Sequence, residues 1–415
     1  MDDCAEMILV THPFGNANVR AVLETFSQAD LLERFVTTLG WSKSSYPYLS
    51  DHIRGKLRRN YAIAAEKIDI HPLRESVRLL ANTIGLRRLT KHEKGWASID
   101  RVWQSLDREA ARRLRGGEYG PGLGAVYAYE DCAEEQFLAA RDLGLHRIYD
   151  LPIAYWETAQ RLLREETERY PDWEPTLGAT RDSPEKLSRK TRELELAELV
   201  ICPSKFVLES LPENIRTSRS CILSPFGSPA VDRLRPGPNE SRPLRVLFAG
   251  MLTQRKGLAD VFAAMKVIDS SQIELVVMGS LLRPLEWYRK KFPKFVYEPP
   301  RPHAEVLQLM RSCDLLLLPS IVEGRALVQQ EAMMCGLPLI VTKNAGGDDL
   351  INEGETGFLV PIRSPEAIAD KIGWFATNRA LISGMGIAAQ KRARELTWRF
   401  YGETILAAVR DLINR

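Results

Sequence analysis

No C-x-x-C pair occurs in this 415-residue sequence, and its six cysteines (Cys4, Cys132, Cys202, Cys221, Cys313, Cys335) are scattered. That suits reduced thiols in a cytosolic protein better than a disulfide or zinc framework. The six histidines are equally dispersed, with no H-E-x-x-H. Long hydrophobic runs are missing too: Leu315–Leu318, among the purest, is far too short to span a bilayer. There is no G-x-x-x-x-G-K-[ST], which excludes a P-loop. The loop after the first expected strand, His12–Val19, holds one glycine where a dinucleotide-binding oxidoreductase needs G-x-G-x-x-G. No lipidation motif stands out and no fixed-period repeat relates the two halves. The start, Met1-Asp2-Asp3-Cys4-Ala5-Glu6, is acidic where a secretory signal is basic, so a cytoplasmic location is expected.

Charge of one sign is also scarce overall. Fifty-seven Lys+Arg against 54 Asp+Glu give +3, and 45% apolar with 27% charged residues is ordinary for a soluble protein. The length implies two domains, with three as the upper expectation. The balance is uneven, however. Residues 51–120 hold 16 Lys/Arg against 9 Asp/Glu, a net +7, so the rest of the chain carries −4. This segment includes the run Arg54-Gly55-Lys56-Leu57-Arg58-Arg59. It also includes a helix-like stretch with Leu73, Val77, Leu80 and Ile84 apolar and Arg74, Arg78, Arg87 and Arg88 basic. Exposed amphipathic helices of this kind suit an anionic membrane surface, reached from the inner face. A solvated face of ordinary helices is the plainer reading.

Short apolar strands alternate with helical patterns. Met7–Val10 reads as a strand, His12–Asn16 as a loop, and Ala21, Val22, Leu23 and Phe26 as one face of a helix. Residues 51–115 are helix-rich. Ala125–Tyr129, His146–Tyr149 and Leu199–Cys202 are further strands, and Ala133–Leu143 is a helix. Ser183 before Pro184, and Ser204, mark two helix starts. Pro225–Pro243, with five prolines and two glycines, is a linker. The same grammar restarts with strands at Leu244–Ala249, Ile273–Met278, Leu315–Leu318 and Pro338–Thr342, and helices at Gly257–Ile268, Ala304–Arg311 and Ala326–Cys335. From Ser364 to Arg415 the pattern is mostly helical. Two parallel α/β units joined by a proline linker make a bilobed molecule with its binding loops at a cleft.

Three segments carry chemistry. In Glu323-Gly324-Arg325-Ala326-Leu327-Val328-Gln329-Gln330-Glu331, two carboxylates flank the start of a helix whose free N–H groups suit a phosphate. A phosphate between two polyol-gripping acids describes a nucleotide sugar, although acids that merely cap the helix are the plainer reading. Gly250-Met251-Leu252-Thr253-Gln254-Arg255-Lys256-Gly257 places two adjacent cations at a strand end, fit to neutralise a diphosphate without a metal. Asn344-Ala345-Gly346-Gly347-Asp348 allows a close backbone approach, and Gly354-Glu355-Thr356-Gly357 follows it. Asp348-Asp349 alone is weak evidence for a metal. Trp287, Tyr288 and Phe292 read as packing rather than a sugar platform.

Together, the segments VLFAG, RKGLADVFAA, ELVVMGS, CDLLLLPSIVEGRALVQQEAMMCGLPLIVT and NAGGDDLINEGETGFLVPIRSPEAIA resemble the donor half of a glycosyltransferase family 4 enzyme with the GT-B fold. HPFGNANVR, LVICPSKFVLESL and SPFGSPAVD resemble the first half more loosely. The resemblance implies an α/β protein of two Rossmann-like domains. Residues 1–225 would form the acceptor side, 226–243 the linker, and 244–395 the donor side, with helix 396–415 crossing back to the first domain. It implies retaining, metal-independent transfer from a UDP- or GDP-linked sugar to a glycan, lipid-linked or small-molecule acceptor, as in polysaccharide biosynthesis. Nucleic acid is not an expected partner.

On that resemblance Glu323, Arg255 and Lys256 serve catalysis, with Glu323 near the reacting carbon and the two cations on the diphosphate. Glu331 holds the ribose. Gly324, Arg325, Ala326, Leu327, Val328, Gly250, Gly279 and Gly15 approach the donor, and His12, Asn16, Tyr129 and Glu130 are acceptor-side candidates. The chain departs from the family with Met251 where many members carry Arg, with Arg325 for an aromatic or small residue, and with Tyr129 where members often carry His. The alternatives are a sugar-nucleotide epimerase of similar shape and a non-catalytic bilobed ligand-binding protein.

Overall fold

The computed structural model describes residues 6–42, 59–230 and 241–414. Residues 54–58 of the basic run, the linker interior 231–240, and Cys4 lie outside the described residues. The first half builds one parallel sheet from β1 (Met7–Thr11), β2 (Leu32–Thr37), β5 (Ile68–Ile70), β6 (Leu123–Tyr129), β7 (His146–Asp150), β8 (Leu199–Cys202) and β9 (Ser220–Leu223), in the order β5-β2-β1-β6-β7-β8-β9. Two-residue strands β3 (Trp41–Ser42) and β4 (Asn60–Tyr61) pair beside it. The second half builds β10 (Leu244–Ala249), β11 (Ile273–Met278), β12 (Val296–Glu298), β13 (Leu315–Leu318), β14 (Leu339–Val341) and β15 (Gly357–Leu359), in the order β12-β11-β10-β13-β14-β15. Helices cover both faces of each sheet, so the central strands are nearly continuous apolar runs; all of Leu315–Leu318 is buried. The order reverses between β1 and β6 and again between β10 and β13. At such points the loops diverge and open a crevice.

Two elements tie the halves together. The helix Trp398–Ile413, capped by Thr397 on the Phe400 N–H, joins the first domain's core, where the Tyr401 hydroxyl donates to Asp150 Oδ2 at 3.0 Å. The helix Trp156–Arg169 and the turns after it leave the first sheet and grip the second domain. Trp173 sits in the second core against Phe262, Trp287 and Tyr288. A boundary at 225 therefore divides the two sheets but not the packing.

The three N-caps Ser98, Ser183 and Ser204 each accept from the backbone N–H three residues on. Ser204 also donates to the Gly324 carbonyl at 2.6 Å, across to the second domain. Ser204→Ala removes a cap and an inter-domain bond at once. Its expected effect is a loss of about 1–2 kcal/mol, read as a lower melting temperature; an unchanged transition would show the contact to be incidental.

Candidate active site

A cleft of about 1160 Å³ lies between the domains where both strand orders reverse. Its first-domain wall includes Asn16, Asn18, Pro152 and Phe226, and Trp398 of the crossing helix closes one side. Gly250, Lys256, Glu323, Arg325, Ala326, Leu327, Val328, Glu331, Arg301 and His303 line the second-domain wall.

Glu323 follows β13 and is gripped by the loop after β10. Arg255 Nη1 donates to Glu323 Oε1 at 3.0 Å and Lys256 Nζ to Oε2 at 2.5 Å. Arg255 also donates to the Val322 carbonyl at 3.0 Å, and its own carbonyl accepts from the Ile321 N–H, so it braces the Glu323 loop, although it is not part of the cleft lining itself. Burial works to raise the Glu323 pKa, but the charges and hydrogen bonds of Lys256 and Arg255 outweigh it and hold the carboxyl below its ordinary range. Burial pulls Lys256 down, with Arg255 adding to the effect and Glu323 opposing it. Gly250 makes the pairing possible: a Cβ there would lie 2.9 Å from Lys256 Cδ. Gly279 ends β11 against the Gly250 carbonyl and is not part of the cleft lining.

The helix Leu327–Met334 starts at the cleft with no side-chain cap at Ala326, which leaves its first N–H groups to face a ligand. Glu331, one turn in, lies against His303, with Oε1 3.0 Å from Nε2. Gly324 meets the other domain: an added Cβ would fall 1.7 Å from the Pro152 carbonyl oxygen, so only glycine permits this closure. Arg325 is buried rather than solvated. Its Nη1 bonds both oxygens of Asp349, at 2.8 and 2.6 Å, and the Pro203 carbonyl at 3.2 Å, while Nε reaches Gln330 Oε1 at 3.2 Å. It is an inter-domain clamp that also borders the cleft.

Three acceptor-side candidates turn inward, which corrects the expectation that they face an acceptor. His12 Nδ1 accepts the backbone N–H groups of Phe14 and Gly15 at 3.0 and 2.9 Å, and burial lowers its pKa to about 3. This neutral imidazole shapes the glycine loop from within, and Gly15 itself packs on the Tyr61 ring. The Tyr129 ring is fully buried beside His12 and Tyr127. Glu130 is buried with Lys190, Oε2 to Nζ 3.1 Å. Asn16 alone of the four lines the cleft.

The structure adds residues that the sequence reading missed. Glu166, fully buried, accepts from Gln254 Nε2 at 2.6 Å and pairs with Arg363. Gln254 also donates to Asp260 and accepts the Ala259 N–H, while the Thr253 hydroxyl donates to the Thr176 carbonyl at 2.7 Å. The first domain's excursion thus clamps the loop that carries Arg255 and Lys256. A Gln directly before the two cations and Gly257 was the available signal. For His303 it was only its place at the start of a helix. Among the described residues, the three-ligand His/acid group His92, Glu93 and Asp182 is not part of the cleft lining, and Lys186 already binds Asp182 at 3.1 Å.

Residues 232–392 match the family of glycosyl transferases group 1. An uncharacterized glycosyltransferase of Methanocaldococcus jannaschii is 26% identical over 211 residues, 49% of this chain and 56% of that protein. The D-inositol 3-phosphate glycosyltransferase of Paenarthrobacter aurescens is 26% identical over 180 residues, 41% of this chain and 44% of that one. The chain spans about half the length of these curated relatives. Sucrose-phosphate synthase from Thermosynechococcus elongatus superposes with a TM-score of 0.66 at 15% identity, covering 99% of both chains. Anabaena HepE in complex with UDP gives 0.61 at 15%, covering 98% of this chain and 100% of that one. Residues 232–392 are thus similar to the glycosyl transferases of group 1, and the chain as a whole has the GT-B fold.

Proposed function

We propose that this protein transfers a hexosyl group from a nucleotide-sugar donor to an acceptor hydroxyl, with retention at the anomeric carbon and without a metal. The observation that carries this reading is the Glu323 carboxylate, held by both Arg255 and Lys256, in one cleft with the uncapped Leu327–Met334 helix start and Glu331. In this reading a nucleoside diphosphate lies along these residues. Glu331 takes the ribose hydroxyls, the N–H groups near Leu327 and Val328 the distal phosphate, and Arg255 and Lys256 the charge that grows on the leaving diphosphate. Glu323 positions the sugar and orients both cations.

The bond from the anomeric carbon to the phosphate oxygen breaks, and the acceptor oxygen bonds to the same face. The acceptor proton passes to the departing phosphate oxygen, so no protein base is required. In this reading residues 244–395 bind the donor and 1–225 present the acceptor, a glycan, a lipid-linked glycan precursor or a small molecule. Dispersed free cysteines support a cytoplasmic site of action.

A panel of UDP- and GDP-sugars, screened by thermal shift, tests donor binding. The true donor at about 100 times its Kd adds about 2.7 kcal/mol of stability. Incubation of that donor with candidate acceptors, with the product anomer read by NMR, tests the rest. An inverted product overturns retention, and binding without turnover or hydrolysis favours a non-catalytic ligand-binding protein.

A further inference from the structure

The helix Leu73–Thr83 is built inside out. Its Glu75 is 0% exposed, held between Arg59 and Arg78, whereas Leu73 is 62% exposed, Leu80 60%, and Ile84, one residue past the helix, 58%. Leu73, Val77, Leu80 and Ile84 share one stripe at helical spacing, and a water-soluble helix normally turns such a stripe to the core. The face continues through exposed Leu86 and through Trp96, 44% exposed. Eight of the seventeen large exposed hydrophobic side chains among the described residues fall between Ile70 and Ile99.

The charges around this stripe have one sign. From Ile70 to Arg101 the acids are Glu75, Glu93 and Asp100. Glu75 and Asp100 are buried, Asp100 in a 2.9 Å pair with Lys186, and half-buried Glu93 accepts the Ser183 N–H. Arg87, Arg88, Lys91, Lys94 and Arg101 are exposed. Arg74 lies over the Trp96 ring at 4.4 Å. Burial lowers its pKa most, and the nearby guanidinium groups of Arg108 and Arg101 add to the shift. Together these give an apolar row, an interfacial tryptophan and a rim of cations.

We propose that this face docks on an anionic lipid bilayer, the leucines and Ile84 entering the acyl boundary and the arginines and lysines meeting acidic headgroups. Burial of the apolar row and attraction of the cations act together in that setting. A second copy of the chain is the weaker fit, because a twofold contact through this face would set its cations against their own kind. The inference does not depend on the reading of the cleft.

Flotation of the full chain with vesicles decides it. Partition onto phosphatidylcholine vesicles with 30% phosphatidylglycerol is expected to exceed that onto pure phosphatidylcholine at least tenfold, and to fall at least tenfold in high salt. The double variant Leu80→Glu with Ile84→Glu should lose at least tenfold in binding while its melting temperature and donor turnover stay unchanged. Arg87→Glu with Arg88→Glu should lose the preference for acidic lipid. Equal partition onto both vesicle types, wild-type binding by the Leu80/Ile84 variant, or a dimer by light scattering that this variant dissolves would each overturn the proposal.

Discussion

Lys256→Ala is expected to lower kcat for glycosyl transfer by roughly 10²–10³-fold, the usual effect of removing one preorganised donor from a developing negative charge. The ammonium group sits behind Gly250 in the cleft wall and is fixed by Glu323 at 2.5 Å, so it needs little reorganisation as the leaving group forms. Because that charge grows mainly in the transition state, kcat falls more than KM changes. Glu323→Gln should act through a different route. The two cations lose the carboxylate that spaces them, and donor orientation loosens along with electrostatic support. Since Glu323 is held below the ordinary carboxylate range, its titration should not shape the rate near neutral pH in the unmodified protein. Circular dichroism must accompany the kinetics, because alanine at 256 leaves Glu323 buried with Arg255 as its remaining partner. Full activity in both variants would remove these residues from the mechanism.

Much of this site could be read from sequence because its signals are local. Strand β13 is a pure apolar run, so the loop after it had to lie at a strand end, and Glu323 is in that loop. Arg255 and Lys256 follow β10 for the same reason. What escaped is what depends on tertiary contact. Glu166 looked like one more acid on a charged helix, and only packing reveals that it braces Gln254. His12, Tyr129 and Glu130 stand at strand ends, as site residues should, yet each finds a buried partner within its own domain. A strand end fixes where a residue stands, not which way its side chain turns. The strands missed were mostly edge strands, β5, β9, β12 and β15, of three or four residues each. They have little apolar periodicity because a neighbour covers them on one side only. Strand β2, next to the edge, was missed for another reason: in LERFVT, half-buried Glu33 and Arg34 interrupt the apolar run.

Asp150→Asn is expected to change how stability depends on pH. Asp150 ends β7 in full burial, where the hydroxyls of Tyr127 and Tyr401 donate to its Oδ2 at 2.8 and 3.0 Å. Its Oδ1 has no hydrogen-bond partner. Burial raises the pKa to about 7, and the tyrosine hydroxyls pull back only in part. The unfolded carboxyl titrates near 3.8. Between these values the folded state holds a proton that the unfolded state has released. The favourable contribution is therefore complete below pH 3.8, declines as pH rises, and is gone above about pH 7. Over that window the loss is roughly 4 kcal/mol. Asparagine keeps an acceptor for the tyrosines and cannot ionise, so its stability relative to the unmodified chain should improve by about that amount from pH 4 to pH 8. Urea unfolding of both proteins at a series of pH values measures the difference. Other buried acids, such as Glu193 and Asp107, titrate in both proteins alike and cancel. A constant difference between the two proteins from pH 4 to pH 8 would mean that Asp150 is already ionised in the folded chain, with the two tyrosines sufficient to stabilise its charge.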